Sequence, residues 1–247
     1  MIFIKTPEEI EIMAQAGQIL AKIMRELKDK VEPGITTKEL DKLASELILN
    51  YGAQSAFKGY NGFPATLCVS VNEQIVHGVP SSRILKEGDI LSLDLGIIYK
   101  NFNSDIAITV PIGTVNPEIG RLIRVTKKSL KRAIARTKPG KTIGDIGHAI
   151  QSYVEDQDFN VVRDLCGHGI GKQLHEKPDI PNFGQRHKGD ELKPGMVLAI
   201  EPMVVLGQPK IKKGPDGFCF QTADNSISAH FEHTVAVTEK GPRVLTE

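Results

Sequence analysis

Two stretches of the chain, LKEGDILSLD at residues 85–94 and LKPGMVLAIE at residues 192–201, are variants of one pattern. Each has a glycine turn followed by a short apolar run that ends in an acidic residue, which is typical of a buried strand. A second pair follows in the same order: DIAITV at residues 105–110 and EHTVAV at residues 232–237 both begin with an acid and continue as a strand. The sequence therefore predicts two copies of one structural unit.

Helix signals also recur in both halves. Thr6-Pro7-Glu8 and Asn116-Pro117-Glu118 each place a capping residue before a proline and an acid, as helix starts do. Each helix is expected to end before a Pro-Gly pair, at 33–34 and at 139–140, and a second helix follows each pair. These signals predict an α/β (α+β) chain in which a helix-helix-strand unit is duplicated about a pseudo-twofold axis. The copies span approximately residues 5–113 and 114–247 within a single domain, 1–247.

Strand periodicity places the acids on the less apolar face of each strand. Side chains alternate between faces, so Asp94 shares a face with Ser92, and Glu201 shares one with Ala199. A hairpin that turns near Tyr99-Lys100 would set Asp94 opposite Asp105, with Cβ atoms about 4.5–5.5 Å apart. By the repeat, Glu201 and Glu232 form the equivalent pair.

Four carboxylates at such short distances repel one another, and most would be protonated unless cations neutralised them. Two divalent metal ions would cancel the four negative charges. The alternative is that the acids are four ordinary solvated groups at strand ends. Their matched positions in both copies favour the metal site.

Three histidines are candidates for the same site. His168 lies in CGHGIG at residues 166–171, where the glycines allow a close approach of the backbone, and it is predicted as a fifth ligand. His77 and His175 lie in turn-rich segments that favour a functional role. Cys166 is expected to be a buried thiol instead of a ligand, because a carboxylate-rich set suits harder metals such as Mn, Fe or Co.

Composition places few further constraints on function. With 31 basic and 30 acidic residues the net charge is +1, which gives no indication of a nucleic-acid or acidic partner. The N-terminal apolar run is too short for a signal peptide, and no stretch has the roughly 20 apolar residues of a spanning helix. Three cysteines without CxxC spacing favour a reducing compartment. The prediction is a cytoplasmic protein.

These contexts together resemble the type I methionine aminopeptidases, which have the pita-bread fold around a central antiparallel sheet. The motifs that carry the resemblance are CGHGIG, IEPM at 200–203 and FEHT at 231–234, and the likeness extends over essentially the whole chain. It implies removal of the N-terminal methionine of nascent proteins when the second residue is small. It assigns two divalent metals (Co, Mn, Fe or Zn) to Asp94, Asp105, His168, Glu201 and Glu232.

The resemblance also implies roles for individual side chains. A water that bridges the metals attacks the scissile carbonyl, with Glu201 as general base and with His77 and His175 contacting the substrate. The methionine pocket is expected to be formed by six residues: Phe57, Tyr60, Phe63, Cys68, Leu174 and Phe218. Phe57, Leu174 and Phe218 differ from the residues common in the family, and this affects the fit of the pocket and not the chemistry.

Two other functions compete with this prediction. Xaa-Pro aminopeptidases and dipeptidases share the fold and the metal set, but they usually carry a large N-terminal domain for which this chain has no room. A non-catalytic peptide-binding relative would have lost ligands, and all five are present here. The expected protein is a monomer whose substrate is a nascent polypeptide N-terminus. A further hypothesis is a transient ribosome contact through Lys210-Ile211-Lys212-Lys213. The alternative interpretation is that these residues are simply a solvated basic loop.

Overall fold

A computed structural model describes residues 1–247 and contains four α-helices and fifteen short to medium strands. The helices are α1 (Pro7–Lys28), α2 (Thr37–Asn50), α3 (Pro117–Ile134) and α4 (Ile143–Glu155). The strands of the first half are β1 (Gln54–Ser55), β2 (Cys68–Val71), β3 (Gln74–Val76), β4 (Ile90–Tyr99) and β5 (Phe102–Pro111). Those of the second half are β6 (Asn160–Val161), β7 (Cys166–Gly169), β8 (Glu176–Pro181), β9 (Val197–Ile200), β10 (Met203–Val205), β11 (Ile211–Lys213), β12 (Phe220–Thr222), β13 (Ser228–His230), β14 (Glu232–Thr238) and β15 (Gly241–Val244). None of the helices combines the length and apolarity that crossing a membrane requires.

The helices begin where the capping signals predicted. At α1 the Thr6 side chain accepts a hydrogen bond from the Glu9 N–H, while the Glu9 carboxylate accepts one from the Thr6 N–H. The same reciprocal capping box starts α2 and α4, and Asn116 caps α3. Each box satisfies two backbone donors that the first turn would otherwise leave without a partner.

A nine-stranded antiparallel sheet joins the two halves. Its order is β1-β4-β5-β14-β9-β7-β8, with β2 also paired to β4 and β15 to β14. The central pair, β5 and β14, takes one strand from each half, with Glu232 opposite Ala107 and His233 opposite Ile106. The predicted duplication about a central antiparallel sheet is confirmed.

Each half also has its own hydrophobic core. One cluster of 20 buried residues lies entirely between Leu20 and Ile112, and a second cluster of 20 lies between Leu122 and Val237. A third cluster of 15 draws residues from both halves, for example Phe57 and Ala199, and it surrounds the middle of the sheet. The two repeats therefore fold around separate cores and share a central interface.

The β4–β5 hairpin differs from its predicted register. Its turn consists of Lys100 and Asn101, both with positive φ (47° and 66°), so Tyr99 pairs directly with Phe102. Asp94 therefore lies opposite Ala107, and the predicted direct pairing of Asp94 with Asp105 is wrong by two residues. Because side chains alternate with period two, this shift keeps both acids on the same face.

Gly17 of α1 provides a test of how closely the helix packs. A Cβ atom at this position would lie 2.1 Å from the Leu245 carbonyl oxygen, so Gly17→Ala should destabilise the protein by about 1–3 kcal/mol despite the better helix propensity of alanine. Gly120 of α3 is the matched control, because its Cβ would meet only the flexible Arg124 guanidinium at 3.3 Å. Gly120→Ala should be neutral or stabilising by up to about 1 kcal/mol. Urea unfolding of both variants measures this, and equal effects would contradict it.

Candidate metal centre

One row of paired residues across the sheet contains a candidate ligand from each half, Asp94 and Glu232. Cys68 of β2 pairs with Asp94 of β4, Asp94 pairs with Ala107 of β5, and Ala107 pairs with Glu232 of β14. Paired residues of antiparallel strands point to the same face, so Asp94 and Glu232 flank the small Ala107 side chain. Asp105, two residues from Ala107, is on this face as well. The small residue at the centre leaves space between three carboxylates.

A second row on the same face brings in the remaining candidates. His168 of β7 pairs with Ala199 of β9, and Ala199 pairs with Thr234 of β14. Glu201 follows Ala199 by two residues, beside Glu232, since Ile200 pairs with His233. Thr234 accepts a hydrogen bond from the Asp105 N–H and donates one to the Asp105 carbonyl, at 3.0 and 2.8 Å, which ties β5 to β14 next to the acids.

One cavity of about 160 Å³ collects all the residues singled out from the sequence. The polar part of its wall consists of Asp94, Asp105, His168, Glu201 and Glu232, with His77 and His175 beside them. The apolar part consists of Phe57, Tyr60, Phe63, Cys68, Leu174 and Phe218. The cavity is also lined by Asn61, which sequence reasoning missed because a lone asparagine in a loop carries no distinguishing signal.

The carboxyl groups strongly disfavour a fully ionised, metal-free site. Burial, and then the charge of Glu201, raises the pKa of Asp105 to about 8, and burial raises the pKa of Glu201 to about 8. Burial and the neighbouring carboxylates also hold the pKa of Asp94 and of Glu232 well above the usual range. Low dielectric and like charges act here in the same direction.

His168 is held as a neutral ring with one nitrogen free. Its Nδ1 lies 2.9 Å from the Gly169 carbonyl oxygen, which can only accept, so Nδ1 carries the proton and donates. Burial lowers the pKa of His168 to about 3. Its unprotonated Nε2 lies 3.8 Å from the nearer oxygen of Glu201 and is available as a ligand.

His175 and His77 flank this centre from two loops. The Tyr60 hydroxyl lies 2.7 Å from His175 Nδ1, and the His168 and His175 rings meet edge to face at 4.2 Å. Beside His175, the Glu176 carboxylate accepts a hydrogen bond from Lys5 Nζ at 2.7 Å in the protein interior, which anchors the loop. His77 has a φ of 59°, a backbone conformation that is uncommon for residues other than glycine. Burial lowers the pKa of its ring to about 4.

His230 is a neighbour of the site that sequence reasoning did not identify. It is fully buried, and its Nε2 lies 3.2 Å from Glu201 Oε2. Burial lowers the pKa of His230 to about 3, so it is a neutral polar group beside the acid. Alternation was a usable signal, because His230 precedes Glu232 by two residues. The prediction that Cys166 is buried was wrong: this thiol is exposed, because it lies at the open end of β7 in a surface cleft beside Lys177 and Asp179.

Unpartnered oxygens show that this donor set fits divalent metal ions. Asp94 Oδ1, Asp105 Oδ1 and Glu232 Oε1 are buried and have no hydrogen-bond partner. Ligand atoms of Asp105, His168 and Glu232 lie within 4.8 Å of one another, a spacing that one ion can bridge. Buried carboxylates without donors are costly, whereas a hard cation would satisfy them and cancel their repulsion.

Comparison with known proteins is consistent with this site. The profile of metallopeptidase family M24 matches residues 11–239. The methionine aminopeptidase 1 of Bacillus subtilis is 50% identical over 246 residues, which cover 100% of this chain and 99% of that protein. The crystal structure of a methionine aminopeptidase from Thermotoga maritima superposes with a TM-score of 0.98 at 45% identity, over the full length of both chains.

A prolidase from Pyrococcus furiosus has the same fold and a different length. It superposes with a TM-score of 0.80 at 27% identity, covering 99% of this chain and 65% of the prolidase. About a third of the prolidase therefore has no counterpart among these 247 residues.

The raised pKa values make the stability of the metal-free protein depend on pH. An acid whose folded pKa lies near 8, against about 4 when unfolded, stabilises the fold below pH 4 through its protonated form, and this stabilisation is lost as the pH rises to 8. When a chelator removes the metal, the Tm should be lower at pH 8 than at pH 5. The difference should be about 4–8 °C for each 2 kcal/mol by which the free energy of unfolding falls. Added Mn²⁺ should raise the Tm more at pH 8 than at pH 5.

Scanning fluorimetry with two variants isolates the origin of this effect. Asp105→Asn should reduce the difference in Tm between pH 5 and pH 8 that is measured with a chelator present. Asp224→Asn should leave it unchanged between pH 5 and pH 8, because hydrogen bonds from Ser226 and Gln208 lower the pKa of Asp224 to about 2. A metal-free Tm that is equal at both pH values would contradict the electrostatic description of the site.

Proposed function

Because the chain belongs to metallopeptidase family M24, we propose that it is a methionine aminopeptidase, which hydrolyses the N-terminal methionine from a polypeptide whose second residue is small. The observation that carries this proposal is the cavity itself, in which buried carboxylates and an aromatic wall face each other. Two divalent ions held by Asp94, Asp105, His168, Glu201 and Glu232 would polarise the scissile carbonyl and lower the pKa of a water molecule.

The aromatic wall is suited to an unbranched thioether side chain. Phe63 and Phe218 meet edge to face with ring centroids 5.6 Å apart, and the buried Cys68 lies beside Asp94 at the floor. Burial and the Asp94 carboxylate raise the pKa of the Cys68 thiol, so it stays neutral and presents a soft, apolar surface. Methionine makes favourable contacts with rings and with polarisable atoms. The methionine side chain would therefore lie against the rings while its amide reaches the acids.

The polar side chains around the acids provide for proton transfer and orientation. Glu201 keeps 12% of its side chain exposed to the cavity, so its carboxylate would be within reach of a water molecule at the site and could take up and return a proton. His175, oriented by Tyr60, and the neutral His77 would donate hydrogen bonds to the peptide and to the oxyanion that develops at the carbonyl.

Two alternatives are less well supported. An Xaa-Pro peptidase shares the fold, but the chain matches the methionine aminopeptidases along their whole length and spans only 65% of the prolidase. A non-catalytic relative would not need to retain a buried cluster of carboxylates that repel one another without a cation.

We further propose how the protein is organised and where it acts. Residues 1–247 would form one catalytic domain, because the candidate ligands come from both halves. Three free thiols agree with a reducing, cytoplasmic location. The protein would act as a monomer. The substrate would be a nascent polypeptide N-terminus. Lys210, Lys212 and Lys213 would make any transient ribosome contact; the structure places the last two on strand β11 and not in the loop expected from the sequence.

A parallel peptide assay distinguishes the functions. The purified protein, with Mn, Co or Fe added, should release methionine from Met-Ala-Ser and should not cleave an Xaa-Pro peptide. Glu201→Ala, as the catalytic control, should reduce kcat by about 100-fold or more, since it removes the proposed proton carrier. Cleavage only before proline would support the Xaa-Pro assignment. If neither peptide is cleaved with any of the metals, the result would support the alternative of a non-catalytic peptide-binding relative.

Phe218→Ala tests the methionine pocket. Loss of its contact with Phe63 should lower kcat/KM for a methionyl peptide about tenfold, equivalent to about 1.4 kcal/mol, and should narrow discrimination against shorter side chains. Phe183→Ala is the matched control, a similarly half-buried phenylalanine that does not line the cavity, and it should change kcat/KM less than about twofold. Unchanged discrimination in Phe218→Ala would remove the support for this pocket.

A further inference from the structure

The segment from Arg121 to Lys141 concentrates positive charge on one part of the surface. It contains nine lysines and arginines and no acidic residue, although the whole chain has a net charge of only +1. Its buried positions are apolar or small polar residues, among them Leu122, Val125 and Leu130, so the cations project from the outer side of α3 and from the turn that follows it. The protein therefore has a strongly basic surface region although its net charge is close to zero.

Most of these cations are not neutralised within the protein. Arg121 alone of the nine forms an ion pair, with Glu118 at 3.9 Å, and the other eight have neither an ion-pair partner nor a side-chain hydrogen bond to a protein acceptor. Arg124 and Lys128, and likewise Lys127 and Lys131, stand one turn apart, where like charges destabilise a helix. The helix thus retains repulsive pairs that its own fold does not compensate.

The first repeat shows that the fold does not require this charge. Helix α1 occupies the corresponding place in the other half, and it carries three cations and four acids, for a net charge of −1. Helix α3 carries six cations and one acid, for a net charge of +5. Since both helices cover the same sheet, packing alone does not explain the difference. A partner that binds the second half would account for it.

A cleft of about 480 Å³ beside α3 gathers the cations into a concave surface. Four of them face it, Arg132, Arg136, Lys138 and Lys141, and they are joined there by Arg186, His148 and His187. The one acid in the cleft, Asp145, is engaged as the cap of α4, where it accepts hydrogen bonds from Thr142. On its outer edge Arg132 lies over the Tyr153 ring at 4.7 Å, and Lys128 does so at 5.4 Å.

We propose that this basic cleft and the outer side of α3 bind the phosphate backbone of a nucleic acid. The charges extend along a helix of 18 residues, about 27 Å long, which suits a repeating polyanion better than a single phosphate group. The concave cleft adds cations beside the helix that can follow a backbone of linked phosphates.

An anionic membrane is the main alternative partner for such a surface. The exposed large apolar residues that could enter a lipid interface are Met1, Phe3, Ile4, Leu49, Tyr60 and Ile84, and all lie outside α3, α4 and the cleft. A flat lipid surface would also leave the interior of the cleft without contacts. The nucleic-acid backbone is therefore the better match.

The experiment measures fluorescence anisotropy of labelled probes against the full-length protein. An RNA hairpin and a DNA duplex of matched sequence are titrated at several salt concentrations between about 50 and 200 mM. The cleft variant is the triple variant Arg132→Gln, Arg136→Gln, Lys141→Gln, and it should bind at least about tenfold more weakly. The slope of log K against log salt concentration should become shallower by about 2–3. The matched control is the triple variant Lys38→Gln, Lys42→Gln, Lys86→Gln, which removes the same charge from exposed sites of the first half. Its Kd for each probe should stay within about twofold of that of the parent.

Three outcomes would overturn the proposal. One is equal weakening by the cleft variant and the control, which would indicate an effect of net charge. Another is loss of binding in the double variant Lys210→Gln, Lys212→Gln with the cleft variant unaffected, which would place the site at β11 and the residue before it. The third is binding to phosphatidylglycerol vesicles without binding to either nucleic acid. Release of methionine from a short peptide should be unchanged in the cleft variant, so this test is independent of the proposed function.

Discussion

The structure depends on the burial of several carboxyl groups on one face of a single sheet. Asp94, Asp105 and Glu232 each have an oxygen without a hydrogen-bond partner, and their pKa values are raised first by burial and then by the charges of neighbouring carboxylates. Such a cluster opposes folding of the metal-free chain near neutral pH. Its presence is understandable only if the site is built to hold cations, which convert mutual repulsion into ligation.

The duplicated architecture supplies the rigidity that this cluster needs. Each half has a core of its own, so neither helix pair relies on the acids for its packing. The sheet then brings β5 and β14 together at the junction, with Ala107 between Asp94 and Glu232 and with Thr234 bonded to both backbone groups of Asp105. Small residues at the centre of each row leave room for ions, while the backbone around them is fixed by hydrogen bonds.

The two halves have kept their fold and lost their surface likeness. The capping boxes and the strand-to-acid pattern persist in both, because they position the core and the site. The outer side of the first helix is not under that constraint, and there the repeats differ by six charges, from −1 on α1 to +5 on α3. Divergence is therefore confined to positions where packing does not determine the side chain.

The sequence by itself determined the elements and the candidate residues. Helix starts, the duplication and the common face of the acids follow from local rules of capping, turn formation and alternation, which act over a few residues. What only the tertiary structure decided is how the strands are aligned: the left-handed Lys100-Asn101 turn places Asp94 opposite Ala107 instead of Asp105. The approach of His230 to Glu201, the entry of Asn61 into the cavity and the gathering of cations from α3, the turn after it and the loop near Arg186 likewise depend on contacts between distant segments. Local sequence patterns cannot encode these, because such contacts arise only when separate elements pack together.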